Sequence, residues 1–211
     1  MKLNPTIPVR PPLLFHSNNP NEIALTFDDG PNEKYTPRLL EVLAATGVKA
    51  TFFLIGMNIR RYPEIVRDIS RAGHKIGNHT DTHPKDLATR TPEEVEKELK
   101  GCCDALEGVL GVSGQLFRPP YGTASNVVLR VAQKMGLKAI NWSADGNDWD
   151  DPTPTTQEIV NKISSFLDRN QSGEIVLLHD GCAESDMDRT NSLEAAQLLI
   201  EKYRNKQFVL L

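Results

Sequence analysis

Five blocks of the chain carry residues whose types and spacing could do chemistry. Asp28-Asp29-Gly30-Pro31 sets two carboxylates side by side. Such a pair can divide labour, one holding a metal and the other taking a proton, although Asp and Gly also simply end strands in turns. His79-Thr80-Asp81-Thr82-His83 places two imidazoles four residues apart, a spacing used in zinc sites. Thr80 stands where a zincin helix has Glu, and Pro84 follows His83, so the pair belongs on a single turn or a shaped loop. With Asp29 it would complete two histidines and one carboxylate, a common catalytic zinc set that leaves a position open for water. Arg118-Pro119-Pro120-Tyr121-Gly122 offers a guanidinium that could pair with a carboxylate. Asp145-Gly146-Asn147-Asp148-Trp149 offers another acid and an aromatic, either plain core or a pocket wall. His179-Asp180-Gly181 ends an apolar run. That imidazole is either a satisfied core histidine or an acid-base group, and its place beside Asp180 favours the second. His16 and His74 lack such surroundings and read as structural or exposed.

Something must bring these blocks together. Short apolar runs read as strands at Ile23 to Phe27, Ala50 to Ile55, Lys75 to Asn78, Gln115 to Arg118, Leu137 to Trp142, Glu174 to His179 and Phe208 to Leu211. Several are continuous rather than alternating, which suits a parallel sheet covered on both faces. Helical patterns lie between them. One opens at Thr36-Pro37 and closes at Gly47, and the next runs from Pro63 to Gly73. Thr91 with Glu94, and Thr155 with Glu158, have capping-box spacing. Further helices run from about Asn126 to Met135 and from about Leu193 to Tyr203. Strands alternating with helices imply βαβ units, as a barrel or as an open doubly wound sheet. In such folds functional groups gather beyond the carboxyl ends of the strands. All five blocks fall there.

The chain has 211 residues, 39% hydrophobic and 25% charged, with a net charge of -4. That is too apolar for a disordered chain and lacks the basic excess of a nucleic-acid-binding protein. No apolar run approaches the roughly 20 residues of a membrane-spanning helix. The first twenty residues contain no apolar signal-peptide core. Residues 1–21, rich in Pro and Asn, read as an extended lead-in to a single domain over 22–211. The three cysteines, Cys102, Cys103 and Cys182, fit neither a disulfide framework nor a zinc site and read as buried or half-buried free thiols.

Taken together, the blocks resemble the polysaccharide deacetylase family, the NodB-homology domain of carbohydrate esterase family four. The resemblance rests on Thr26-Phe27-Asp28-Asp29-Gly30, His79-Thr80-Asp81-Thr82-His83, Arg118-Pro119-Pro120-Tyr121, Asp145-Gly146-Asn147-Asp148-Trp149 and Leu177-Leu178-His179, in the family's order. It implies a single-domain α/β fold, a distorted (β/α)7 barrel, and a hydrolase that removes N-acetyl groups from N-acetylglucosamine residues of chitin, chitooligosaccharides or peptidoglycan. It also implies roles. Asp29, His79 and His83 would hold a divalent metal, Zn2+ first, with Co2+, Ni2+ or Mn2+ able to serve. Asp28 would be the base and Arg118 would hold it. The Tyr121 N–H would help stabilise the oxyanion. His179 would be the acid, oriented by Asp148, and Trp149 and Leu177 would line the acetyl pocket. Thr80 replaces a frequent Ser and keeps its hydroxyl, and Cys182 stands where glycine is frequent. An O-acetyl esterase on xylan, an amidohydrolase on a small non-sugar amide, and a sugar-binding protein with a degenerate site are the alternatives. By family habit the protein would act outside the cell or at its surface, on an acetylated amino-sugar polymer or oligomer.

Overall fold

The continuous apolar runs form strands and the periodic ones form helices. The structure, a computed structural model, describes residues 13–14, 16–17, 19–150, 152–169, 171–183 and 187–211. In chain order come β1 (His16–Ser17), β2 (Glu22–Asp28), α1 (Tyr35–Thr46), β3 (Thr51–Leu54), α2 (Gly56–Arg61), α3 (Pro63–Arg71) and β4 (Lys75–Asn78). Then follow α4 (Pro92–Leu110), β5 (Leu116–Phe117), α5 (Asn126–Lys134), β6 (Lys138–Ala139), β7 (Ala144–Asp145), α6 (Thr156–Leu167), β8 (Gly173–His179), α7 (Thr190–Lys202) and β9 (Gln207–Phe208). Thr91 and Thr155 each make the full reciprocal capping box with Glu94 and Glu158. Two orphan N–H groups at each helix start are thereby satisfied.

Among the described residues the strands form one sheet, ordered β1-β8-β2-β3-β4-β5-β6, with β7 against β8 and β9 against β2. Every pairing is parallel except that of β1 with β8. Leu14 bridges to Ile140 just beyond β6, while His16 and Ser17 pair with β8. One short stretch thus touches both ends of the strand path. The result is a single-domain α/β fold whose sheet curls into a half-barrel, in keeping with the barrel implied by the resemblance. Leu39 and Leu43 of α1 and Val66 and Ile69 of α3 pack in one core with Phe27 and Phe52. Those two rings are in register on β2 and β3, with centroids 5.4 Å apart. Burying each such side chain contributes about 1.5–3 kcal/mol.

Several expected elements differ in extent. All seven anticipated strand positions hold a strand, but those at Gln115 to Arg118 and Leu137 to Trp142 are only two residues long, and the two-residue strand at the end shares only Phe208 with the run Phe208 to Leu211. Burial makes a run apolar, whereas pairing lasts only while neighbours stay in register. β1 and β7, two residues each, and the six-residue α2 are additional; elements this short hold no hydrophobic period to detect. No helix among the described residues is long and apolar enough to cross a membrane. Cys102 is buried, Cys103 and Cys182 are half-buried, and all three thiols are free.

His74 is structural. Its Nδ1 accepts the Ala50 N–H at 3.2 Å, and its ring meets Phe52 edge-on. Burial, then the Lys49 charge, push its pKa down from 6.5 to about 4. The unfolded chain therefore takes up this proton first, so stability falls as pH drops from about 6.5 towards 4. Replacement by the non-titrating His74→Gln is expected to flatten the thermal midpoint over that window. A slope equal to wild type would contradict this.

Candidate active site

The register delivers the chemistry to one end of the sheet. Asp28 ends β2 directly opposite His179, which ends β8, and opposite Phe53 of β3. One strand further, β4 ends at Asn78 and releases His79, and beside it β5 releases Arg118. Five non-glycine residues take positive φ among the described residues: Asp29, Thr80, His83, Tyr121 and Asn147. All lie in the loops that follow strand ends. Such conformations cost of order 1–3 kcal/mol each and persist where surroundings over-determine them.

Asp29 turns back over the sheet with φ 71. Its Oδ1 lies 3.4 Å from Nε2 of His79 and 3.3 Å from Nε2 of His83. His79 Nδ1 lies 2.8 Å from the Arg118 carbonyl. A carbonyl only accepts, so Nδ1 carries the proton, and the Nε2 of a neutral ring then presents a lone pair to the Asp29 carboxylate. That juxtaposition asks for a cation. Asp29 Oδ1 is buried and has no hydrogen-bond partner among the described residues, and the three prospective ligand atoms lie within 4.8 Å of one another. Burial alone would raise the Asp29 pKa, but contact with His79 and the neighbouring imidazoles hold it well below the usual carboxylate range. Burial, then His79, push His83 down to about 4. Both groups are thus in the deprotonated forms that bind metal. The three residues fit a divalent ion.

The histidine loop is a shaped loop, not a helical turn. The Thr80 N–H donates to Asn78 Oδ1 at 2.8 Å, and the His83 N–H donates to Thr80 Oγ1 at 3.1 Å. Glu98 on α4 accepts the N–H groups of Asp81 and Thr82 at 3.2 and 3.0 Å, and Arg90 pairs with it at 3.0 Å. The opening N–H groups of α2, on Gly56 and Met57, donate to the carbonyls of Thr80 and Asp81 at 3.0 Å each.

Arg118 is fully buried. Its Nη1 donates to Asp28 Oδ1 and to Thr26 Oγ1, both at 2.7 Å, and its Nη2 donates to the Asn141 carbonyl at 3.2 Å. Its guanidinium lies 4.1 Å over the Phe53 ring. A charge so placed must be paired, and Asp28 is the group it pairs with. Oδ2 of Asp28 remains turned towards the histidines, 3.7 Å from His79 Nε2.

On the β8 side, Asp148 Oδ1 lies 2.7 Å from His179 Nδ1, and Oδ2 accepts the His179 N–H at 2.8 Å and the Ser192 hydroxyl at 2.6 Å. Arg189 donates to the carbonyls of Gly181 and Asp148. Burial would lower the His179 pKa, but the Asp148 carboxylate overrides it and raises it to about 9. Burial would likewise raise Asp148, and the charge and hydrogen bond of His179 hold it low instead. The ring is therefore cationic at neutral pH. Behind the Asp28-Asp29-Gly30 turn, burial pushes Asp180 up to about 7, and its Oδ2 meets the Thr36 hydroxyl at 2.5 Å. A Cβ at Gly30 would come within 2.6 Å of its Oδ1, so a side chain there would displace the Asp180 carboxyl.

These groups line one cleft of about 340 Å³, within the range of ligand sites. Asp28, Asp29, His79, His83, Tyr121, Trp149, Leu177 and His179 all face it. Arg118 and Asp148 stand behind Asp28 and His179. Tyr121 is 52% exposed and Trp149 47%, so both rings are open to a ligand. Thus the structure brings together every residue that the sequence nominated. Sequence reasoning missed Asn78, Glu98, Asn141, Trp142, Arg189 and Ser192. Glu98 had a signal, because it interrupts the inward stripe of Val95, Leu99 and Cys102 on α4. Asn78 caps its own loop two residues on, and the roles of the other four arise from contacts between distant segments.

A curled parallel sheet with a buried Asp/His/His cluster beside an arginine-held carboxylate defines a hydrolase-type cleft. Comparison with known proteins places it. The polysaccharide deacetylase family profile matches residues 16–140. A chitooligosaccharide deacetylase of Azorhizobium caulinodans is 42% identical over 167 residues, 79% of this chain and 77% of that protein. A peptidoglycan-N-acetylglucosamine deacetylase of Bacillus cereus is 34% identical over 193 residues, 90% of this chain and 85% of that protein. A crystal structure of a peptidoglycan N-acetylglucosamine deacetylase superposes with a TM-score of 0.86 at 32% identity, covering 94% of this chain and 90% of that one. The chain belongs to the polysaccharide deacetylase family. It is a hydrolase acting on carbon–nitrogen bonds other than peptide bonds.

Proposed function

We propose that the protein is a metal-dependent hydrolase that removes N-acetyl groups from N-acetylglucosamine residues of chitin, chitooligosaccharides or peptidoglycan. The observation that carries the reading is the meeting, in one cleft, of Asp29, His79 and His83 with a carboxylate held by Arg118 on one side and a cationic imidazole on the other. Asp29, His79 and His83 would hold the divalent ion, zinc first, with cobalt, nickel or manganese able to serve. When bound, it supplies positive charge that acidifies water and polarises the acetyl carbonyl.

An amide is a poor electrophile with a poor leaving group, so both proton transfers need a positioned partner. Asp28, gripped through Oδ1, keeps Oδ2 to accept the proton of the attacking water. The Tyr121 N–H supports the negative charge that develops on the acetyl oxygen. His179, held cationic by Asp148, gives its proton to the departing amine. Trp149 and Leu177 wall the acetyl methyl group. No Ser or Cys nucleophile is required, and no acyl-enzyme forms. Substrates of this kind lie outside the cytoplasm, and we place the protein's work there, secreted or at the cell surface.

Acetate release from chitooligosaccharides, peptidoglycan and acetylated xylan tests the reading. Acetate is expected from the N-acetylglucosamine substrates, with a free amine in the product. Release from xylan alone would overturn it in favour of an O-acetyl esterase.

A further inference from the structure

We propose that Asn141 is a positioning residue for this hydrolysis, one that holds the Pro120–Gly122 turn so that the Tyr121 N–H keeps its aim on the developing oxyanion. The inference rests on the deacetylase reading above. Asn141 follows Ile140 at the end of the β6 segment and is 5% exposed. Its Nδ2 donates to the Gly122 carbonyl at 3.0 Å. Its own carbonyl accepts from Arg118 Nη2 at 3.2 Å, and its N–H donates to the Leu14 carbonyl at 2.7 Å. A single residue therefore joins the arginine that grips Asp28 to the turn that carries Tyr121.

That turn needs holding. Tyr121 sits at φ 55, ψ 18, a left-handed conformation that costs a non-glycine residue roughly 1–2 kcal/mol. Inside the loop, Gly122 and Thr123 donate N–H groups to the carbonyls of Pro119 and Pro120 at 3.1 and 3.2 Å. Asn141 adds a hold from a different segment. Trp142 closes the same corner, because a Cβ at Gly122 would lie 2.6 Å from its ring.

The Asn141 Oδ1 is buried and has no hydrogen-bond partner among the described residues. An orphaned buried acceptor is destabilising by about 1–3 kcal/mol, and an apolar side chain of similar size would avoid it. An amide kept at such a position serves something other than stability. The bond its Nδ2 makes to the turn is the service on view.

Asn141→Leu and Asn141→Asp decide the matter, the second keeping the shape if the first does not fold. Losing an oxyanion donor outright costs about 10²–10³ in kcat, so loosening one is expected to lower kcat about 10- to 100-fold. KM for N-acetylglucosamine oligomers and zinc affinity stay near wild type, and the thermal midpoint of Asn141→Leu is unchanged or raised. A purely structural Asn141 gives the reverse, a lower midpoint with kcat preserved in the folded protein, and that result overturns the inference. Wild-type protein that releases no acetate overturns the deacetylase reading first, and this inference with it. Active wild type with an unaltered kcat in either folded variant overturns this inference alone.

Discussion

Asp28→Asn is expected to lower kcat for acetate release by about 10²–10⁴-fold, the range of a positioned general base, while zinc affinity stays close to wild type. Asn keeps the oxygen that accepts from Arg118 Nη1, and the guanidinium retains Thr26 and the Asn141 carbonyl. The buried arginine keeps its hydrogen bonds but loses its counter-charge, so the variant is expected to fold with a lowered thermal midpoint. What disappears is the lone pair of Oδ2, the atom turned towards the histidines. If Asp28 were instead only the counter-ion of Arg118, the same lowered midpoint would come with near-normal turnover. Parallel measurement of kcat, zinc affinity and melting separates the two.

Asp148→Asn is expected to act on the other proton. Burial favours the neutral His179 ring, and the Asp148 carboxylate overrules burial to raise the pKa to about 9. A general acid works only while protonated, so activity falls as pH rises through that value. A cation held at Asp29 lowers it, placing the alkaline limb at or below about 9. Without the carboxylate, burial prevails and the pKa of the ring falls. The alkaline limb of kcat should then move down by more than one pH unit, and kcat at pH 8 should fall by about 10²-fold or more. Ser192 still reaches this position through an oxygen of Asn, which spares the fold. An unmoved alkaline limb would show that His179 is not the titrating acid.

The legible part of this protein lay at strand ends. Asp28, Arg118 and His179 each follow a continuous apolar run, so the topology that buries the run also delivers the residue to the cleft. Capping boxes were equally plain, because Thr91 and Thr155 satisfy backbone donors locally. Long-range devices were hidden. Glu98 grips a loop from 16 and 17 residues away, and Ser192 reaches Asp148 across 44. No local pattern encodes such contacts, although Glu98 betrays itself as a charge inside the apolar stripe of α4. The two-residue β7 and the six-residue α2 escaped for the opposite reason: they are too short to carry a period, and tertiary hydrogen bonds fix them. The positive φ values of Asp29, Thr80 and His83 were likewise invisible, since their residue types do not call for that conformation as glycine does.

The most direct test of the account is acetate release from N-acetylglucosamine oligomers by protein stripped of metal with a chelator and then titrated with zinc. The account predicts that release stops in the stripped protein, returns as zinc is added and levels off at one zinc per chain, the capacity of the Asp29, His79 and His83 cluster. Full activity in verified metal-free protein would contradict it.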